Sequence, residues 1–231
     1  MQATLTQRMD AAESAEFLQR LEADWGAPPE LDPDRHLLRL FSPEGQRLAD
    51  FRPPLVWPRL PEQPSALPAY LSSLPEAPLP HLLVLVQLGS AALGYSEGGE
   101  LLLHKVVKKY VRRQKQGRSQ INYLKTRGKS KAGSRVRLAN TIAFFDEVNE
   151  RLGEWMEENT PERILVSCTE QVWGLMFQAE PLPPFDKKDP RLADIPTQVR
   201  EPRHEELLRI HKWVQHGRLY RYEEGPQSAL R

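Results

Sequence analysis

Between Leu101 and Phe145 the chain carries Lys105, Lys108, Lys109, Arg112, Arg113, Lys115, Arg118, Lys125, Arg127, Lys129, Lys131, Arg135 and Arg137, and no aspartate or glutamate. Within this run lies Gly117-Arg118-Ser119-Gln120. Ordinary surfaces intersperse the two signs of charge, so thirteen cations in 45 residues without an acid mark a polyanion-binding composition. Six of the thirteen are arginines, whose planar donors match phosphate oxygens in pairs. A glutamine amide does not titrate usefully, which excludes Gln120 as a general base. It can instead hold a water or hydroxyl by donating and accepting hydrogen bonds. Gly117 would let the backbone approach a ligand closely, and Ser119 adds one hydrogen bond. If a phosphodiester were the bond cut, Arg112, Arg113 and Arg118 could stabilise the extra negative charge of its transition state, with a 2′-hydroxyl of the ligand as attacking group. No carboxylate or histidine lies nearby in sequence. The base is left to the ligand, to a partner, or to a residue folded in from elsewhere.

The rest of the chain is acidic. Of 231 residues, 32 are basic and 31 acidic, and outside the run 19 basic face 31 acidic residues, about −12. A basic face on an acidic body orients a protein toward a polyanion. The hydrophobic fraction of 39% suits a globular protein, and the 21 prolines require long extended connections. Cys168 is the single cysteine, so neither an intrachain disulfide nor a cysteine-built zinc site can form, which fits a reducing interior. Met1 to Asp24 lacks an apolar signal core, and Leu82 to Leu88 is too short to span a bilayer. A cytoplasmic location without membrane contact is expected. No cofactor or metal motif stands out. Gly128 to Ser134 contains Gly-Lys-Ser without the spacing of a phosphate-binding loop. His204, His211 and His216 fit surface histidines better than ligands, and Cys168 a buried structural thiol better than a nucleophile. Tyr110 and Tyr123 flank the tetrapeptide and suit base stacking and core packing equally.

Several elements must position the basic run. Ala15, Leu18, Leu21 and Trp25 predict a helix over Ala11 to Trp25, followed by Pro-rich chain to Pro80 that could include a short strand at His36 to Phe41. His81 to Leu88, Ala91 to Ser96 and Leu101 to Val111 predict an antiparallel meander. Arg112 to Gly133 is a polar segment without periodicity, long for a loop unless it is functional. Ser134 is a candidate cap for a helix to about Asn159, with Leu138, Ile142, Phe145, Val148, Leu152 and Trp155 as its core stripe. A strand at Arg163 to Cys168, a helix capped by Thr169, a Pro-rich passage and a helix at Arg203 to Trp213 complete the chain. Meander, helix, strand, helix predict an α/β sandwich with a mixed sheet. The expected division is 1–80, a helix and Pro-rich covering segment; 81–180, the reactive domain; and 181–231, a Pro-rich connection and C-terminal helix.

The long helix also carries its charges backwards. Arg135 and Arg137 sit at its start and Asp146, Glu147, Glu150, Glu154, Glu157 and Glu158 follow, against the macrodipole. A phosphate bound at the helix N-terminus would offset that arrangement. Basic residues on a strand and a glycine-containing loop, rather than on a recognition helix, favour RNA over duplex DNA. Lys115, Lys125, Arg127, Lys129 and Lys131, with Arg112, Arg113, Arg135 and Arg137, are the expected RNA contacts, chiefly to phosphates.

A Gly-x-x-Gln sequence at the tip of such a loop, after a three-strand meander and before a long helix, resembles the central domain of class I release factors of eukaryotes and archaea. The run Arg112-Arg113-Gln114-Lys115-Gln116-Gly117-Arg118-Ser119-Gln120, with Gly128 to Ser134 after it, is more similar still to the Vms-type release-factor-like family of ribosome quality control. The similarity covers roughly Leu82 to Gln178. It implies action on peptidyl-tRNA held by a stalled large ribosomal subunit, freeing the nascent chain by ester hydrolysis or by cleavage of the tRNA near its 3′ end. It also makes Gln120 the counterpart of the family's essential glutamine, with Gly117, Arg118 and Ser119 beside it in the catalytic tetrapeptide. The ankyrin repeats, zinc finger and segregase-binding segment of eukaryotic members have no counterpart in the sequence, so their partners are not carried over. A non-catalytic ribosome- or RNA-binding adaptor stays open as the alternative, and the oligomeric state is not legible.

Overall fold

The computed structural model describes residues 3–25, 28–109 and 132–222. In chain order the first half contains β1 (Ala3–Met9), α1 (Ala11–Trp25), β2 (Glu30–Asp32), β3 (Leu37–Phe41), β4 (Arg47–Arg52), α2 (Leu67–Ser72), β5 (His81–Gln87), β6 (Ser90–Glu97) and β7 (Glu100–Lys108). The second half contains α3 (Ala132–Glu158), β8 (Arg163–Ser167), α4 (Glu170–Met176), β9 (Leu192–Asp194), α5 (His204–Val214) and β10 (Gly217–Tyr222).

The first six side chains of β5 are all buried. A strand apolar on both faces needs cover above and below, and β5 lies at the centre of a mixed sheet ordered β7-β6-β5-β8-β9. β6 pairs antiparallel with β5 and β7, while β5, β8 and β9 run parallel. Gly98 and Gly99 join β6 to β7 at φ 59° and 87°, the left-handed values a tight hairpin needs. Leu82, Val84 and Val86 point to one face, where Phe144, Phe145, Val148, Leu152 and Trp155 of α3 and Val172 and Met176 of α4 cover them. Leu83 and Leu85 point to the other, against Leu207, Ile210 and Val214 of α5 and a second sheet. The expected α/β sandwich with a mixed sheet is the architecture found.

The second sheet, ordered β1-β10-β4-β3-β2, is antiparallel throughout and contributes Leu38, Leu40, Ala49, Phe51 and Leu219 to the shared core. It is built from flanks whose sequence reads as covering segment and connection. Their strands leave little local signal: the described side chains of β1 are exposed up to Met9, and β10 finds its partners across most of the chain. The Pro-rich passage after β4 is held by buried polar groups. His36 donates from Nε2 to Pro54 O at 3.1 Å and Arg163 from Nε to Leu55 O at 3.2 Å.

Some local expectations need correction. The third meander strand ends at Lys108 rather than Val111. α3 begins at Ala132, which places Ser134 inside its first turn and not at the cap. Ile142 is 54% exposed instead of lining the core. Thr141, Phe145, Val148, Leu152 and Trp155 form the buried stripe, and Ile142 lies about 100° around the helix from Thr141. The side chain of Leu138 falls outside those described. His211, expected on the surface, is buried, with Ser96 Oγ 2.9 Å from its Nε2. Thr169 caps α4 as expected, its Oγ1 accepting from Val172 N at 3.3 Å. Among the described residues no helix is long and apolar enough to cross a membrane, and no cluster of three or more histidine, cysteine or acidic side chains is placed to hold a metal.

Candidate functional site

β7 is an edge strand, and its register sets where the basic run leaves the sheet. Lys108 aligns with Ser90, Ser90 with Gln87, and further along the same edge Leu85 aligns with Ser167 and Val166 with Asp194. The carboxyl ends of β7, β5, β8 and β9 therefore share one edge of the sheet. In open α/β sheets that edge is where ligands bind. Lys109 N donates to Gly89 O at 3.0 Å, so the exit of β7 is tied to the β5–β6 turn.

Arg112, Arg113, Lys115, Gly117, Arg118, Ser119, Gln120, Lys125, Arg127, Lys129 and Lys131 lie outside the described residues, as do Tyr110 and Tyr123. Arg135 and Arg137 fall in the first turns of α3, where the backbone alone is described. What the structure defines is the frame at either end of residues 110–131. Val107, the last buried residue of β7, and Phe144, Phe145 and Val148 of α3 belong to one apolar cluster, so this segment leaves and rejoins a single packed body.

The frame also explains part of the charge pattern. Lys109 Nζ lies 2.9 Å from Glu147 Oε2, and Lys105 Nζ lies 3.9 Å from Glu147 Oε1. Lys108 Nζ donates to Glu201 Oε1 at 2.8 Å, and Glu201 also accepts from Arg203 Nε at 2.9 Å. Hydrogen bonds from Arg203 and Lys108 hold the Glu201 carboxyl down at about 2. Glu201 reaches β7 because Gln87 Nε2 donates to Val199 O and Arg200 O, and Ser90 Oγ to Pro202 O. Three of the thirteen cations thus have acidic partners distant in sequence, and the other ten run from Arg112 to Arg137. Some of the acids that seemed misplaced on α3 have partners too. Glu147 serves the two lysines, Asp146 Oδ1 accepts from Glu180 N at 3.4 Å, and Glu154 pairs with Arg151. Glu147 and Asp146 thus have tertiary partners and Glu154 a partner within the helix, while the side chains of Arg135 and Arg137 lie outside those described.

Further along the same edge, Cys168, Glu170, Trp173, Lys187, Asp194 and, from the N-terminal flank, Asp34 line a cavity of about 310 Å³. Burial, with Asp194 nearby, pushes the Cys168 thiol up to about 11, which leaves little thiolate for nucleophilic chemistry. Asp34 could not have been found from sequence, because it reaches the cavity through the fold of the flank.

An α/β sandwich that carries an acid-free segment between an edge strand and a long helix is the frame of a release-factor-like domain. The family model described as bVLRF1, Bacteroidetes VLRF1 release factor, matches residues 81–221, from the first residue of β5 into β10, and the chain belongs to that family. The human protein named tRNA endonuclease ANKZF1 is 30% identical over 156 residues, covering 65% of this chain and 21% of that protein. The mouse protein of the same name is 28% identical over 210 residues, covering 88% and 27%. The chain therefore spans about a fifth to a quarter of the length of these relatives. A solved structure described as the Vms1 mitochondrial localization core aligns with a TM-score of 0.47 at 15% identity, over 87% of this chain and 81% of the other.

Proposed function

We propose that the protein frees nascent chains from peptidyl-tRNA on stalled large ribosomal subunits, and that residues 110–131 are the segment that meets the RNA. One observation carries this reading: the acid-free run with Gly117 to Gln120 connects β7 to α3 inside the region matched by a release-factor family model. In this reading 81–180 is the reactive unit and the flanks brace it, the work is done in the cytoplasm, and no cofactor takes part. Arg112, Arg113, Lys115, Lys125, Arg127, Lys129, Lys131, Arg135 and Arg137 neutralise phosphates. Gly117 gives the backbone close approach, Ser119 and Arg118 contact the RNA, and Gln120 orients the attacking oxygen.

Two bonds are candidates. The relatives named as tRNA endonucleases favour a tRNA phosphodiester, and the family resemblance puts it near the 3′ end. There the ribose 2′-hydroxyl would attack phosphorus, the P–O5′ bond would break, and the developing charge would fall to the arginines. If the peptidyl ester is cut instead, Gln120 orients a water. In both cases the side chains assigned here position the reaction, and the acid–base groups come from RNA, the ribosome or another part of the chain. Gln120→Ala should lower the release rate from stalled large subunits by about a hundredfold or more, since orientation errors of that order carry such costs. Sequencing the released tRNA decides the bond: a shortened 3′ end means phosphodiester cleavage, an intact one means ester hydrolysis. Wild-type release by Gln120→Ala would leave the adaptor reading, in which the same basic segment docks without chemistry.

A further inference from the structure

The ion pair between Lys109 and Glu147 ties the last described residue before 110–131 to the helix that follows that segment. Glu147 does not sit at the helix start. It is fifteen residues beyond Ala132, about 22 Å along the axis at 1.5 Å per residue. Thr141, Phe144, Phe145 and Val148 are buried around it, so the contact falls where the helix is packed, and the roughly 22 Å run from there toward residues 110–131. A tilt of about 5° about this point would move Ala132 by about 2 Å over that lever. The neighbouring contacts hold the strand side of the joint. Lys105, four residues back on β7, reaches the same carboxylate at 3.9 Å, and Lys109 N is fixed on Gly89 O.

We propose that Glu147 is a positioning residue for the reaction: by binding Lys109 and Lys105 together it sets the angle between β7 and α3, and so the place at which residues 110–131 present Gln120. The inference rests on the function proposed above. Glu147 touches no substrate in this role. Its carboxylate is about one-third exposed, which makes each pair weak as a source of stability, the range in which surface pairs contribute little. Its value lies in geometry, where small misplacements have large kinetic effects.

The test compares Glu147→Gln with wild type in single-turnover release from stalled large subunits. The expected result is a maximal rate lowered about three- to tenfold with half-saturation for the subunit unchanged within about twofold, since orientation is lost and no phosphate contact is removed. The swapped pair Lys109→Glu with Glu147→Lys should recover most of that rate. A Glu147→Gln protein that releases at the wild-type rate while Gln120→Ala is inactive overturns the positioning role and leaves the proposed function intact. A loss that the swap does not recover overturns it as well. A second measurement needs no activity. Spin labels on Ala132→Cys and Glu97→Cys, in a Cys168→Ser background, report the distance from helix start to sheet. Glu147→Gln should broaden that distribution, and an unchanged width would sink the clamp even if Gln120→Ala proves fully active and the function itself is wrong.

Discussion

Asn149, at 1% exposure, donates from one amide nitrogen to Met176 O at 2.9 Å and to Pro181 O at 2.7 Å. It anchors the end of α4 and the turn after it onto α3, in the same helix that receives the basic segment. Truncating it would orphan two carbonyls while also removing its own partnerless Oδ1. We expect Asn149→Ala to cost about 2 kcal/mol, a fall in melting temperature of roughly 4–8 °C for a chain of this size. A melting temperature within a degree of wild type would show that water replaces the amide. Nothing in the sequence distinguishes Asn149 from the other polar residues of α3, because its role depends on where Met176 and Pro181 arrive. Gln120 and its basic neighbours are proposed on evidence of the opposite kind. Their evidence is composition and local order, which need no tertiary partner. Glu147 and Glu201 were not legible, because their lysines meet them only through strand register and the course of the chain after Val199.

At the scale of elements, the periodic ones were read nearly to their ends. α1 spans the predicted Ala11–Trp25, and the β5 to β7 meander follows its apolar runs and turn glycines. Long helix α3 was legible as a helix but misjudged at its start and at Ile142, since the burial stripe is set by the sheet it lies on. The arginine pair at that start carries its own prediction. With Arg135→Glu and Arg137→Glu together, RNA affinity at low salt should fall, and the slope of log affinity against log salt should flatten by about 1.5–2, as two lost phosphate contacts require. Affinity and slope equal to wild type, measured by titration with tRNA, would remove the helix start from the interface. Both positions precede Thr141, Phe144 and Phe145, the buried side chains described on the first half of α3, and a circular-dichroism spectrum like that of wild type is the control for the fold.

For the whole molecule, burial of neutral imidazoles links stability to pH. Burial depresses His81 to about 4; His211 and Arg163 press the same way, and the Leu79 carbonyl bound at Nδ1 opposes them. Burial also lowers His36 and His211. An unfolded His81 titrates near 6.5, so below that pH the unfolded chain binds a proton that the folded chain refuses. Its contribution is complete above about pH 6.5 and is lost as the pH falls toward 4, up to about 3 kcal/mol for this one group. Urea unfolding at pH 7.5 and 5 should show that loss, and a His81→Asn variant should lose less between the two values. An equal slope in both proteins would assign the effect elsewhere. The second sheet was the least legible part of the fold, and its order has a consequence for biosynthesis. β1 has one neighbour, β10, and β10 separates β1 from β4. β1 must therefore wait for β10, about 200 residues later in the chain, before it can pair, so that sheet closes only after residues 217–222 have been made. Until then the newborn chain exposes apolar side chains of β3 and β4, and a mutation that slows translation through residues 217–222 would lengthen the interval in which a protein proposed to free stalled chains resembles one.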